Sequence, residues 1–336
     1  MAELLPGVPL DCYRLQFSDQ DGTFPFPFIP KYFAFPEIIQ DAKALTSSAS
    51  LPMTAPAIQT LVDKEKHIKD FHLSEDLFRN LIAYADSSRK LPNTDFAYST
   101  LGLVPNGRCE ASGEALAKAV FAMHAQIEVL KLRTPCPANS EIDVQILVVS
   151  PMFSIANLAI QQRYRLDGPD GQPLRHVDVP HWRTEDIDDS PAGIPDGILH
   201  GGTDKKPNAV FQCKLSWEYT NAMLQGIFVD GVLRGEDGNY DWDRLDTLAG
   251  EARLIRELWD SMVEMSCSFA VWSNGSKAFF AVRFPDQWRL VCTPPVDWSH
   301  HNTVRAVIGL TYAALDENDW RNINLTEKLV GATTPV

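Results

Sequence analysis

The spacing of apolar positions along the chain predicts both helices and strands. Leu245, Leu248, Ala252, Ile255, Trp259 and Met262 recur by threes and fours, which predicts a helix with one buried face from Asp241 to about Ser266. Leu116, Val120, Met123, Ile127 and Leu130 form a second helical stripe and predict a helix from Ser112 to Leu132. Further helices are expected at Ala55–Phe71, at Ser74–Ser87 and over residues 302–318; Ser74 followed by Glu75 and Asp76 reads as an N-cap with an acidic first turn. Strand-like runs occupy Glu141–Val149 and Leu158–Leu166, with another extended piece around Val177. Two short apolar runs follow Pro195, the second carrying Gln212, Cys213 and Lys214. The stretch "SFAVWSNGSKAFFAVRF" predicts a hairpin closed at Ser273-Asn274-Gly275, and "WRLVC" a further strand.

From Ser112 onward the order is helix, strands, helix, hairpin, which predicts an α/β (α+β) domain with a mixed central sheet flanked by helices. Residues 99–336 are assigned to this core domain. Residues 1–98 are assigned to an N-terminal extension, aromatic and proline-rich through "FPFPFIPKYFAFP" at Phe24–Pro36 and then mostly helical. An apolar fraction of 45% is enough for a packed core. The net charge of −14 weighs against bulk adhesion to nucleic acid or to an anionic membrane. The six cysteines are scattered without a CxxC pair, so neither a zinc site nor a disulfide framework is expected. The first residues lack the apolar core of a signal peptide, and no run approaches the ~20 apolar residues of a membrane helix. An intracellular, non-secreted protein, cytoplasmic or nuclear, is the expectation.

The polar residues of the two runs after Pro195 carry the candidate chemistry. Side chains alternate across a strand, so Gln212 and Lys214 project to one face, while Phe211, Cys213 and Leu215 project to an apolar face suited to lie under a helix. With Asp196 at the end of the neighbouring strand, a carboxylate, an amide oxygen and an ammonium are expected to converge. Mg²⁺ or Mn²⁺ takes oxygen ligands, often only one or two from protein, and a lysine beside it can orient the attacking water. His176, Asp178 and His181 in "HVDVPHW" only imitate a metal cluster, because His181 lies beyond Pro180.

Here the chain resembles the PD-(D/E)XK nuclease superfamily, the restriction-endonuclease-like fold, over roughly Ser112 to Cys292. Pro195-Asp196 falls at the first motif and Gln212-x-Lys214 at the second, a glutamine variant that the Mrr-like restriction branch also uses. The stretch "LIRELWDSMVEMSCSFAVWSNGSKAFFAVRF" is similar to the helix and hairpin of restriction-endonuclease-like proteins common in fungi. The resemblance implies a divalent-metal-dependent nuclease hydrolysing phosphodiester bonds. Asp196 and Gln212 would ligate Mg²⁺ or Mn²⁺, Lys214 would position the water, and a homodimer acting on nucleic acid is a partner expectation.

The chain departs from that pattern in three places. Gln212 replaces an acid, and Glu257 and Ser261 stand where relatives carry glutamine and tyrosine. The glutamate that many members place on the first core helix has no counterpart among Glu110, Glu114 and Glu128, of which Glu114 lies opposite the apolar stripe of Ser112–Leu132. Two alternatives follow: a catalytically inactive binding module of the same fold, or a fold recruited to an apolar small molecule in a biosynthetic pathway. In the second, Trp217, Trp259 and the "FPFPF" segment would line the cleft.

Overall fold

The computed structural model describes residues 68–87, 143, 145–163, 180–184, 195–201, 207–216, 219–228, 250–317 and 324–335. Among them a single mixed sheet of nine strands runs through the protein. Strand β1 is Asp70–Leu73, β2 His181–Arg183, β3 Gly197–His200 and β4 Pro207–Cys213. Strands β5 (Phe269–Ser273), β6 (Lys277–Phe284), β7 (Arg289–Cys292), β8 (Val296–Asp297) and β9 (Thr334–Pro335) complete it. The order is β2-β3-β4-β5-β6-β7-β1-β9, with β8 paired to β6. β2, β3 and β4 form an antiparallel meander, and β4 then pairs in parallel with β5. β5, β6 and β7 are again antiparallel, and β1 lies parallel to β7.

Helices cover both faces. On one side pack α1 (Glu75–Ser87), α2 (Ser150–Arg163), α5 (His301–Glu317) and α6 (Leu325–Val330), where Leu81, Ile155 and Val307 meet Phe211, Val271 and Phe280 of the sheet. On the other pack α3 (Asn221–Phe228) and α4 (Gly250–Glu264), where Ile227, Leu258 and Trp259 meet Val210, Ala270 and Trp272. β5 and β6 lie between these two layers, so "FAVWS" and "AFFAVRF" are buried on both faces. Full burial of one such apolar side chain stabilises by about 1.5–3 kcal/mol, well above any helix-propensity difference, so the layers fix the elements.

Several expectations are met. Ser74 caps α1, its Oγ accepting the Leu77 N–H at 3.0 Å. The β5–β6 hairpin closes at the expected turn, where Gly275 takes φ 81°, a conformation glycine adopts without strain. α4 carries the predicted buried stripe through Ile255, Trp259 and Met262.

Others are overturned. Glu141–Val149 and Leu158–Leu166 are not strands where described: Gln145–Val149 is a turn of π-helix leading into α2, which continues to Arg163. The buried set Val148, Met152, Ile155, Ala156, Ala159 and Ile160 has helical spacing, and Pro151 sits in the first turn, where proline is tolerated. The run is apolar nearly all round, which hides its period. The helix expected to end at Phe71 gives way to β1, because Asp70–Leu73 finds a ladder partner in Arg289–Cys292. Residues 68–87, read as part of the extension, thus contribute a strand of the central sheet and a helix upon it. Ser112–Leu132, Phe24–Pro36, the piece around Val177 and the start of the Asp241 helix lie outside the described residues. No described helix is long and apolar enough to cross a membrane.

Candidate functional site

The centre is built on β3 and β4. Gly197 opens β3 beneath the ring of Phe153 from α2; a Cβ there would lie 1.9 Å from that ring. Any larger residue at this position would have to push the Phe153 ring aside. The register Gly197↔Phe211 then sets Asp196 one step beyond, level with Gln212. The carboxylate is anchored there, since Asp196 Oδ2 accepts the backbone N–H of Cys213 at 2.6 Å. It is thus held at Cys213, between Gln212 and Lys214.

The expected alternation of β4 holds. Phe211 and Cys213 are buried in the layer under α2 and α5, with Leu215 packed against it. Gln212 faces α4 and is only 2% exposed. Its Nε2 donates to Ser261 Oγ at 2.7 Å and to the Glu257 carbonyl at 3.1 Å. A carbonyl only accepts, which fixes the amide's orientation. Gln212 Oε1 is consequently left buried without a hydrogen-bond partner. An unpaired buried acceptor costs about 1–3 kcal/mol, so its retention asks for an explanation.

Lys214 leads to the same helix. Its Nζ lies 3.4 Å from Glu257 Oε2, and Arg253 Nε donates to Glu257 Oε1 at 2.6 Å. Tyr219 OH donates to Glu257 Oε2 at 3.4 Å, and the Tyr219 carbonyl accepts Asn274 Nδ2 at 2.8 Å. Glu257 is 11% exposed and Lys214 23%, so the centre is mostly covered yet reachable at the lysine. One turn further, Asp260 is buried and its Oδ1 has no hydrogen-bond partner. Burial pushes its carboxyl from 3.8 to about 7; Arg256 opposes this, while Glu257 and Glu264 add to it.

The structure thus places Asp196 on the Cys213 N–H, between Gln212 on β4 and Lys214 just beyond its end. The sequence treated Glu257 and Ser261 only as mismatches, whereas both contact the candidate residues directly. Arg253 and Tyr219 were missed; the i,i+4 spacing of Arg253 and Glu257 was the one local signal for the former. Glu110, Glu114 and Glu128 lie outside the described residues. α2, the helix that precedes the meander, contains no aspartate or glutamate.

The donors at the centre suit a hard cation, being one carboxylate and one unpaired amide oxygen. Among the described residues no group of three His, Cys, Asp or Glu side chains is arranged to hold a metal ion. His181 of "HVDVPHW" instead pairs across strands with His200, ring centroids 5.9 Å apart; His176 and Asp178 lie outside the described residues. Trp259 is buried in the core against Trp288 rather than lining a cleft, and Trp217 lies outside the described residues. No protein-family model, curated protein or solved structure matches this chain.

Proposed function

We propose that this chain is a divalent-metal-dependent phosphodiester hydrolase, a nuclease with a restriction-endonuclease-like core. The observation that carries the reading is the anchoring of Asp196 on the Cys213 N–H, between Gln212 and Lys214 on the adjacent strand. The element order supports it: α2, the antiparallel meander β2-β3-β4, the crossover through α3 and α4, and β5 parallel to β4. Asp196 and the unpaired Gln212 Oε1 would hold Mg²⁺ or Mn²⁺. Such an ion, when bound, lowers the pKa of a coordinated water and polarises a phosphoryl oxygen. Lys214 orients that water, and its charge offsets the one developing on the phosphate. With a net charge of −14, a nucleic-acid substrate is engaged locally rather than by general adhesion.

The test is cleavage of single- and double-stranded DNA and RNA with Mg²⁺ or Mn²⁺, by wild type, Asp196→Asn and Lys214→Met. Wild-type cleavage lost by about a hundredfold or more in both folded variants is expected. Absence of metal-dependent cleavage of every substrate would sink the reading.

The absence of any acid on α2 favours a second reading, an inactive binding module of the same fold. That reading expects a wild type that captures nucleic acid or a protein without cutting, with Asp196→Asn binding as tightly.

A further inference from the structure

β4 presents an amide at position 212, so the strand itself supplies no acid to the centre. A carboxylate nonetheless reaches the same stretch from α4. Glu257 is tied to β4 twice: its carbonyl accepts from Gln212 Nε2, and its Oε2 lies 3.4 Å from Lys214 Nζ. Gln212 and Lys214 share one face of the strand, and the Cys213 N–H between them holds Asp196. Asp196 and Glu257 thus contact the stretch Gln212–Lys214 at the end of β4, where Gln212 Oε1 has no partner.

Hydrogen bonding within the centre accounts for the amide nitrogen and for Glu257, but not for Gln212 Oε1. That atom belongs to a side chain only 2% exposed and can accept but not donate. Its natural complement is a cation, to which the Asp196 and Glu257 carboxylates would add oxygen donors, with water filling the remaining positions. Arg253 at 2.6 Å and Lys214 at 3.4 Å both offset the charge of Glu257.

We propose that Glu257 is the second carboxylate ligand of the metal centre, and that Lys214 is the cation the metal displaces from it. The proposal rests on the nuclease reading and adds to it a ligand from α4. Displacement does two things together: it releases Glu257 Oε2 from the ammonium, leaving Tyr219 OH on that oxygen, and it releases the lysine toward the water it orients. Arg253, at 2.6 Å from Glu257 Oε1, keeps the carboxylate aimed while this happens.

Calorimetric titration of Mn²⁺ alone into wild type, Asp196→Asn, Glu257→Gln and Lys214→Met, each checked for folding by thermal melting, tests this. Glu257→Gln keeps the shape of the side chain and removes its charge. Weakening of at least about tenfold is expected in both acid variants. Lys214→Met removes the competing cation and should bind several-fold more tightly. Glu257→Gln binding as tightly as wild type while Asp196→Asn fails would overturn the inference and leave the nuclease reading standing. Unchanged or weaker binding by Lys214→Met overturns the displacement even if Glu257→Gln does not fold. A wild type that binds no Mn²⁺ removes both readings together.

Discussion

Two buried amides, one in a hairpin turn and one on a strand, differ in how far they are satisfied. Asn274, at the tip of the β5–β6 hairpin, uses its whole head group. Its Nδ2 donates to the Tyr219 carbonyl at 2.8 Å, and its Oδ1 accepts the Ser276 and Lys277 N–H groups at 3.0 and 2.7 Å. Gln212 uses only its nitrogen, and its oxygen is buried without a partner. A polar side chain kept for the fold tends to be fully paired, because each gap costs stability. One kept for a ligand can carry a gap that the ligand closes. The contrast marks Asn274 as a structural residue, and under the proposed reading it is what a ligand-binding Gln212 would show.

The sharpest way to break that contrast is to truncate both. Asn274→Ala strands three groups at the turn and should cost about 3–5 kcal/mol, read from urea unfolding. Asp260 of α4, whose Oδ1 is also buried without a hydrogen-bond partner, tests whether a gap can be a plain cost. Its carboxyl is raised from 3.8 to about 7 in the fold, so the folded state holds the proton more tightly than the unfolded chain. The stability this proton gives is fully present below about pH 4 and is lost as pH rises through about 7. Asp260→Asn should therefore gain up to about 4 kcal/mol over wild type at pH 8, the gain vanishing toward pH 4. Unfolding curves of the pair across that range decide it, and a difference independent of pH contradicts the assignment.

The smallest stability effect is expected at Gln212. Ser261 Oγ already donates to the Glu257 carbonyl at 2.8 Å, so both acceptors of the glutamine keep a partner when it is replaced. Gln212→Met should change stability by less than about 1 kcal/mol while weakening Mn²⁺ binding. A loss as large as that of Asn274→Ala would make Gln212 a structural residue as well.

What the sequence disclosed depended on whether a segment has one partner layer or two. α4 is apolar toward the sheet and polar beyond it, so its stripe was legible. β4 alternates between two different environments, so the sides taken by Phe211 and Gln212 could be read in advance. α2 is apolar nearly all round, and its period was lost; Asp70–Leu73 is too short to show one and is a strand only because Arg289–Cys292 lies beside it. At the centre, residue types named Asp196, Gln212 and Lys214. Glu257 became meaningful only in three dimensions, because its partners Lys214 and Tyr219 lie far from it in sequence.

The pairing of β1 also bears on how the protein is made. Asp70–Leu73 leaves the ribosome long before Arg289–Cys292, its parallel partner, and before Thr334–Pro335, its antiparallel one. α1 waits as well: the Ser74 hydroxyl donates to the Val330 carbonyl, and Asn80 Nδ2 reaches the Leu329 carbonyl at 2.8 Å. Contacts of such sequence separation form slowly. During translation Phe71 and the apolar side of α1 therefore stay uncovered, an interval in which a nascent chain is most exposed to aggregation and to chaperone capture.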